Sequence, residues 1–151
     1  PRYDFAFVGR NKGREAILQA LESELTAQGF SVLFDIRSDQ AKAVKANISY
    51  SAYLEQYLSA TCMLDVTQTG QTGLTLRPLE AMLYQRKLLT NNALIQQEAF
   101  YHPANVFIFD ERLDLSGLRA FMQQPFSPLP AEIQALYSLE SLTKALRESS
   151  C

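Results

Sequence analysis

Short apolar runs alternate along this chain with stretches whose apolar residues recur every three or four positions. The first pattern reads as buried strand and the second as amphipathic helix. Tyr3-Asp4-Phe5-Ala6-Phe7-Val8 opens as a strand apolar enough to be buried on both faces. Ile17, Leu18, Leu21 and Leu25 then fall at helical spacing, with Gly29 as the stop. Phe30 to Ile36 is a second strand, rich in β-branched and aromatic residues. The opening is therefore β-α-β, with a crossover long enough for a parallel, right-handed unit.

From Arg37 to Asn47 the chain is polar and weakly patterned, and 39–46 reads either as a short helix or as a loop. Tyr50, Tyr53, Leu54, Tyr57 and Leu58 define an amphipathic helix that Ser49 or Ser51 caps. Strand 62–66, a Gly-containing loop, helix 75–85 and strand 87–90 follow. After the Asn91-Asn92 turn, Leu94 to Phe100 predicts a short helix and Val106 to Phe109 a last strand. Leu115, Leu118, Phe121 and Met122 mark another helix. Pro125, Pro128 and Pro130 make a stiff connector to a helical region from Ala131 to Arg147, with Ser138 capping a second piece. Strands alternating with helices predict an α/β fold: a three-layer, Rossmann-like domain with a parallel sheet flanked by helices. Residues 1–124 form that domain and 125–151 a helical extension packed on it.

The stretch from Gly70 to Met82 carries the clearest chemistry. Strand, Gly-containing loop, helix is an order that puts unpartnered backbone N–H groups and the positive end of the helix dipole at one edge of the sheet. Gly70, Gly73, Leu74 and Thr75 lie at that helix start, with Arg77 and Glu80 inside the helix. The loop suits phosphates, and Glu80 suits sugar hydroxyls. Glu80 sits among apolar neighbours, so its carboxylate needs a partner; a ribose diol is one candidate and Arg77 the other. Arg10 and Lys12, after the first strand, are placed to neutralise a diphosphate at the same edge. In such sheets ligands sit at the carboxyl ends of strands, near a reversal of strand order.

Each feature has a plainer reading. Two glycines also make an ordinary turn, and a basic turn is also a solvated one. The loop matches neither the P-loop nor the dinucleotide fingerprint. The tyrosine stripe suits a core or a partner-facing surface better than a base-stacking platform. His102 sits in a loop and suits a surface or capping role. No catalytic residue is assignable by spacing, and no metal-ligand cluster is present.

Composition narrows the classes. At 151 residues the chain is one domain, or one half of a two-domain enzyme. A net charge of −2 gives no sign of nucleic-acid binding. No apolar run approaches a membrane span, and no leader is visible. The two cysteines, Cys62 and Cys151, make neither a disulfide framework nor a metal site, so a cytoplasmic location is expected. The start at Pro1, without Met, suggests a piece of a longer protein.

Phe7-Val8-Gly9-Arg10 with Lys12-Gly13, then Gly73-Leu74-Thr75-Leu76-Arg77-Pro78-Leu79-Glu80-Ala81-Met82 and Lys87-Leu88-Leu89-Thr90-Asn91, resemble the C-terminal half of GT-B glycosyltransferases. More closely, the chain resembles bacterial proteins of that type in lipopolysaccharide and capsular-polysaccharide biosynthesis. Tyr137-Ser138-Leu139-Glu140 also fits their ending. The resemblance implies a half that holds a nucleotide-diphosphate sugar as donor substrate. Glu80 would take the ribose, Gly73 to Thr75 and the helix start the diphosphate, and Arg10 and Lys12 its charge. It further implies a separate N-terminal acceptor-binding domain that supplies the base, and peripheral association of the full-length protein with the inner face of the inner membrane. The isolated half would then be inactive. The chain departs from the pattern at Thr72, where retaining relatives often carry a second glutamate, and at Gln85, where a glycine usually closes the helix. The Gln85 departure implies a different turn. Two rival readings are a non-enzymatic α/β interaction module and a small nucleotide-handling enzyme complete in itself.

Overall fold

The computed structural model describes residues 2–11, 13–37, 49–68 and 76–136. Five strands, β1 (Tyr3–Arg10), β2 (Val32–Arg37), β3 (Ala60–Asp65), β4 (Lys87–Thr90) and β5 (Val106–Ile108), pair in parallel in the order β2-β1-β3-β4-β5. Helices α1 (Glu15–Ala27), α2 (Tyr50–Leu58), α3 (Leu76–Leu83) and α4 (Leu118–Gln123) cover its two faces. The chain is thus an α/β, Rossmann-like three-layer domain, as the alternating periods predict.

Side chains of successive strand residues point to opposite faces, and the core divides accordingly. Phe5, Phe7, Cys62, Leu64 and Leu89 pack with Leu18, Leu21 and Leu25 of α1 and Leu118 and Phe121 of α4. Ala6, Val8, Met63 and Leu88 pack with Tyr57 of α2 and Leu79 and Met82 of α3. Phe126, Leu129 and Ile133 of the proline-containing segment also pack against this second face. Asn105 fixes the segment's path: its amide donates to the Ser127 carbonyl at 2.8 Å and its Oδ1 accepts from the Ser127 N–H at 2.7 Å.

One buried cation belongs to the structure and not to the site. Lys87 starts β4, and its ammonium donates to the carbonyls of Ala104, at 2.9 Å, and Phe121. The Phe121 carbonyl belongs to the last turn of α4, where exposed carbonyls and the helix dipole favour a positive charge.

Local details differ from the sequence expectation. Where a helix is expected from Leu94 to Phe100, a short 3-10 helix spans Ala93–Gln97. The Asn92 side chain accepts from the Leu94 N–H and starts a turn too tight to grow into an α-helix. The last strand ends at Ile108. Of the C-terminal helix, 131–136 is helical, and the expected second piece capped by Ser138 lies outside the described residues. So does the polar stretch 38–48.

The end of α3 corrects a further expectation. Gln85 adopts φ 54°, the left-handed conformation a glycine would supply. The Arg86 N–H reaches the Ala81 carbonyl at 2.8 Å and the Gln85 N–H the Met82 carbonyl at 3.3 Å, the paired bonds of a Schellman turn. The same turn closes α1, where Gly29 holds the equivalent place at φ 89°. The turn is therefore the usual one, held by glutamine at a conformational cost. Gln85→Gly is expected to stabilise the fold by about 0.5–1 kcal/mol, raising Tm in a thermal melt by about 2–3 °C.

Candidate functional site

The chain runs from β1 outward to β2, then returns to place β3 on the other side of β1. Neighbouring crossovers leave in opposite directions there, which opens a crevice beyond the carboxyl ends of β1 and β3. Arg10, the last residue of β1, is exposed at this edge. The turn after it and the loop after β3 meet: a Cβ on Gly13, at φ 73°, would lie 2.7 Å from the Gln68 amide nitrogen. Across the edge, Asn91 clamps the exits of β3 and β4. Its Oδ1 accepts from the Thr67 N–H at 2.8 Å, and its amide donates to the Thr67 carbonyl at 3.0 Å. Because α2 and α3 run back against the strands, their first turns also lie at this edge.

Two arginines stiffen the rim from below. Arg14 is buried and donates to the Val66 carbonyl at 2.6 Å and the Arg10 carbonyl at 2.9 Å, tying the two strand exits together. Arg77 of α3 donates to the Val8 carbonyl at 3.0 Å and lies 3.8 Å from the carboxylate of Asp65, which is 1% exposed. Both guanidinium groups stack on Phe7, at 5.0 Å for Arg14 and 5.1 Å for Arg77. A Cβ on Gly9 would overlap the end of the Arg77 side chain, so a larger residue there requires that guanidinium to shift.

Glu80 lies one turn into α3, 0% exposed. Two phenols hold it: Tyr50 donates to Oε2 at 2.7 Å and Tyr53 to Oε1 at 2.7 Å. Tyr57, the third of the stripe, donates to the Leu64 carbonyl at 3.1 Å. The tyrosines of α2 thus supply hydrogen bonds to the buried carboxylate of the neighbouring helix, while Arg77 turns to Asp65 and to β1. Burial pushes Tyr53 well above ordinary phenols and raises Tyr57 as well. Burial alone would lower Arg77, but Tyr57, Tyr53 and Asp65 outweigh it and the guanidinium is held above its ordinary value.

These groups set a pH response. Burial pushes the Cys62 thiol well up from 9.0, although Lys87 opposes it. Groups whose folded pKa is raised stabilise below their unfolded value and lose that stabilisation as pH rises toward the folded value. Cys62, Tyr53 and Tyr57 therefore all destabilise the fold as pH climbs above about 9–10. Lys87 acts oppositely. Burial lowers it, Cys62 pulling the other way, so its contribution grows as pH rises toward 10.5. Three groups against one predict a denaturation midpoint that falls between pH 9 and pH 11. Cys62→Val is expected to remove the earliest part of that fall.

Of the residues singled out in the sequence, Arg10, Arg77 and Glu80 are described, and all three belong to elements that meet at the β1–β3 crevice. Lys12, Gly70, Gly73, Leu74 and Thr75 lie outside the described residues, as does Thr72. His102 is exposed, and its Nδ1 accepts from the Ala104 N–H at 3.0 Å, a turn-capping role. Sequence reasoning missed Asp65 and the link from Tyr50 and Tyr53 to Glu80. Asp65 carried a signal, as the one charge in an otherwise apolar strand. The tyrosines did not, because their partner is 30 and 27 positions away. Among the described residues no group of His, Cys, Asp and Glu is placed to hold a metal, and no helix is long and apolar enough to cross a membrane. Comparison with protein families, with curated proteins and with solved structures finds no match to this chain.

Proposed function

We propose that this chain is the half of a bacterial glycosyltransferase that binds a nucleotide-diphosphate sugar, in an enzyme that builds lipopolysaccharide or capsule. The observation that carries the reading is the reversal of strand order between β1 and β3, with Arg10 exposed beside it and the first turn of α3 at the same edge. A crevice of that kind suits a diphosphate, which gains charge-assisted hydrogen bonds from a guanidinium and from the open N–H groups of a helix start. In the transfer reaction the bond from the anomeric carbon to the diphosphate oxygen breaks, and negative charge grows on the leaving phosphate. Arg10 and the start of α3 stabilise that charge, the main catalytic contribution such a half makes. Lys12, Gly70, Gly73, Leu74 and Thr75, which lie outside the described residues, are the further candidates for the diphosphate that the sequence offers. The acceptor and the base that deprotonates it come from a separate N-terminal domain, and the full-length protein works at the inner face of the bacterial inner membrane.

The test is a two-dimensional NMR titration with UDP, GDP, CDP and ADP. One diphosphate is expected to shift the amides of Gly9, Arg10 and Gly13, with Arg10→Ala weakening binding about ten-fold, the scale of one charge-assisted contact. No shift at millimolar ligand would refute the reading.

The closed state of Glu80 favours a second reading. A buried carboxylate that accepts from two tyrosines of the neighbouring helix suits a stable α/β interaction module. That reading predicts no nucleotide binding, and partner contacts that survive Arg10→Ala.

A further inference from the structure

We propose that Tyr50 is a latch on Glu80 that the ribose of a bound nucleotide opens. The inference rests on the nucleotide reading above and adds to it a conformational step and the residue that controls it.

A ribose offers two adjacent hydroxyl donors, which a carboxylate accepts on its two oxygens. In this structure two phenolic hydroxyls already make that pair of bonds, one to each oxygen of Glu80, both at 2.7 Å. The carboxylate sits one turn below the crevice edge, between α2 and α3, and is closed from solvent. Ribose therefore reaches it only if a phenol leaves. Exchanging one hydroxyl donor for another conserves the hydrogen bonds, so the exchange is nearly balanced, and the phosphate contacts at the rim tip it.

The two phenols are not equivalent. Tyr53 is wedged between the Tyr50 ring, at 5.8 Å, and the Tyr57 ring, at 5.0 Å, and this pair of ring contacts holds it in place. Tyr50, half-buried like Tyr53, is the first residue of α2, on a turn that the Ser49 side chain caps through the Ala52 N–H at 3.2 Å. A helix-end turn opens at little cost compared with a central one. Tyr50 is thus the moving part and Tyr53 the fixed one, which orients the carboxylate throughout. The closed latch lowers apparent affinity by the fraction of molecules that are open, and removing the Tyr50 hydroxyl removes that competitor.

The experiment compares UDP, GDP, CDP and ADP with their 2′,3′-dideoxy counterparts on the wild-type chain, Tyr50→Phe and Tyr53→Phe, read by NMR chemical shifts. The ribonucleotide that binds is expected to shift the amides of Tyr50 through Tyr53 as well as those of Gly9, Arg10 and Gly13. Its dideoxy counterpart is expected to shift only the second set. Tyr50→Phe should bind the ribonucleotide about ten-fold tighter, the scale of one hydrogen bond to a charged acceptor, and the dideoxy form no tighter. Tyr53→Phe should not gain affinity. If ribo and dideoxy forms bind alike and leave α2 unmoved, the latch is overturned while the nucleotide reading stands. If no diphosphate moves the Gly9 to Gly13 turn in any of the three proteins, both fall. Should Tyr50→Phe fail to fold, the comparison of ribo and dideoxy forms on the wild-type chain decides alone.

Discussion

Arg77→Met is expected to destabilise the fold by about 3–5 kcal/mol, the cost of stripping one partner from a buried charge pair. For a chain of this size that lowers Tm by about 10 °C. Methionine keeps the aliphatic stem but stops short of the guanidinium, so the loss combines the stranded charge with the packing that the guanidinium made on Phe7 and Tyr57. Asp65, 1% exposed, keeps Thr90 at 3.4 Å but loses its guanidinium at 3.8 Å. The Val8 carbonyl loses its donor at 3.0 Å, at the point where β1 leaves the sheet. Phe7 and Tyr57 lose the cation stacked on them. Asp65→Asn in the same chain should recover part of the loss, because it removes the stranded charge; a double-mutant cycle in urea measures that coupling. A single-variant loss under about 1 kcal/mol would mean that Asp65 finds its counter-charge elsewhere.

Glu80→Ala is the second large effect, at about 3–5 kcal/mol in denaturant unfolding. Two half-buried phenols, Tyr50 and Tyr53, would lose their acceptor at once, at up to about 1–3 kcal/mol for each unsatisfied group, and the missing carboxylate leaves a void between α2 and α3. Tyr53→Phe removes one donor and leaves the carboxylate its other partner, so it should cost only about 1–2 kcal/mol. Glu80→Gln should fall between, since its amide oxygen accepts while its NH2 faces a phenol oxygen. An Ala variant as stable as Tyr53→Phe would show that the two bonds contribute little to holding α2 on α3.

The architecture was legible because each element announced itself locally. Phe5 to Val8 and Leu88-Leu89 are buried on both faces and read as continuous apolar runs, while Leu18, Leu21 and Leu25 mark one stripe of α1. What local pattern does not carry is pairing. The order β2-β1-β3-β4-β5, and hence the place of the crevice, emerges only when strands far apart in the chain meet. The same limit hid the Glu80 contacts. Its apolar neighbours showed that the carboxylate needs a partner, but the partner came from α2 and not from the next turn of its own helix. Gln85 shows the reverse case. Sequence preference argued against a left-handed residue there, yet the Schellman bonds and the entry into β4 impose one. Leu94 to Phe100 had the apolar content of a helix, but the Asn92 cap directs it into a 3-10 turn.

The central claim, that a nucleoside diphosphate occupies the β1–β3 crevice, is met most directly by a crystal structure of the chain soaked with the tightest-binding diphosphate. The account predicts diphosphate density beyond the carboxyl ends of β1 and β3, with the Arg10 guanidinium and the first turn of α3 as its contacts. Density elsewhere on the molecule, or an empty crevice at saturating ligand, would contradict it.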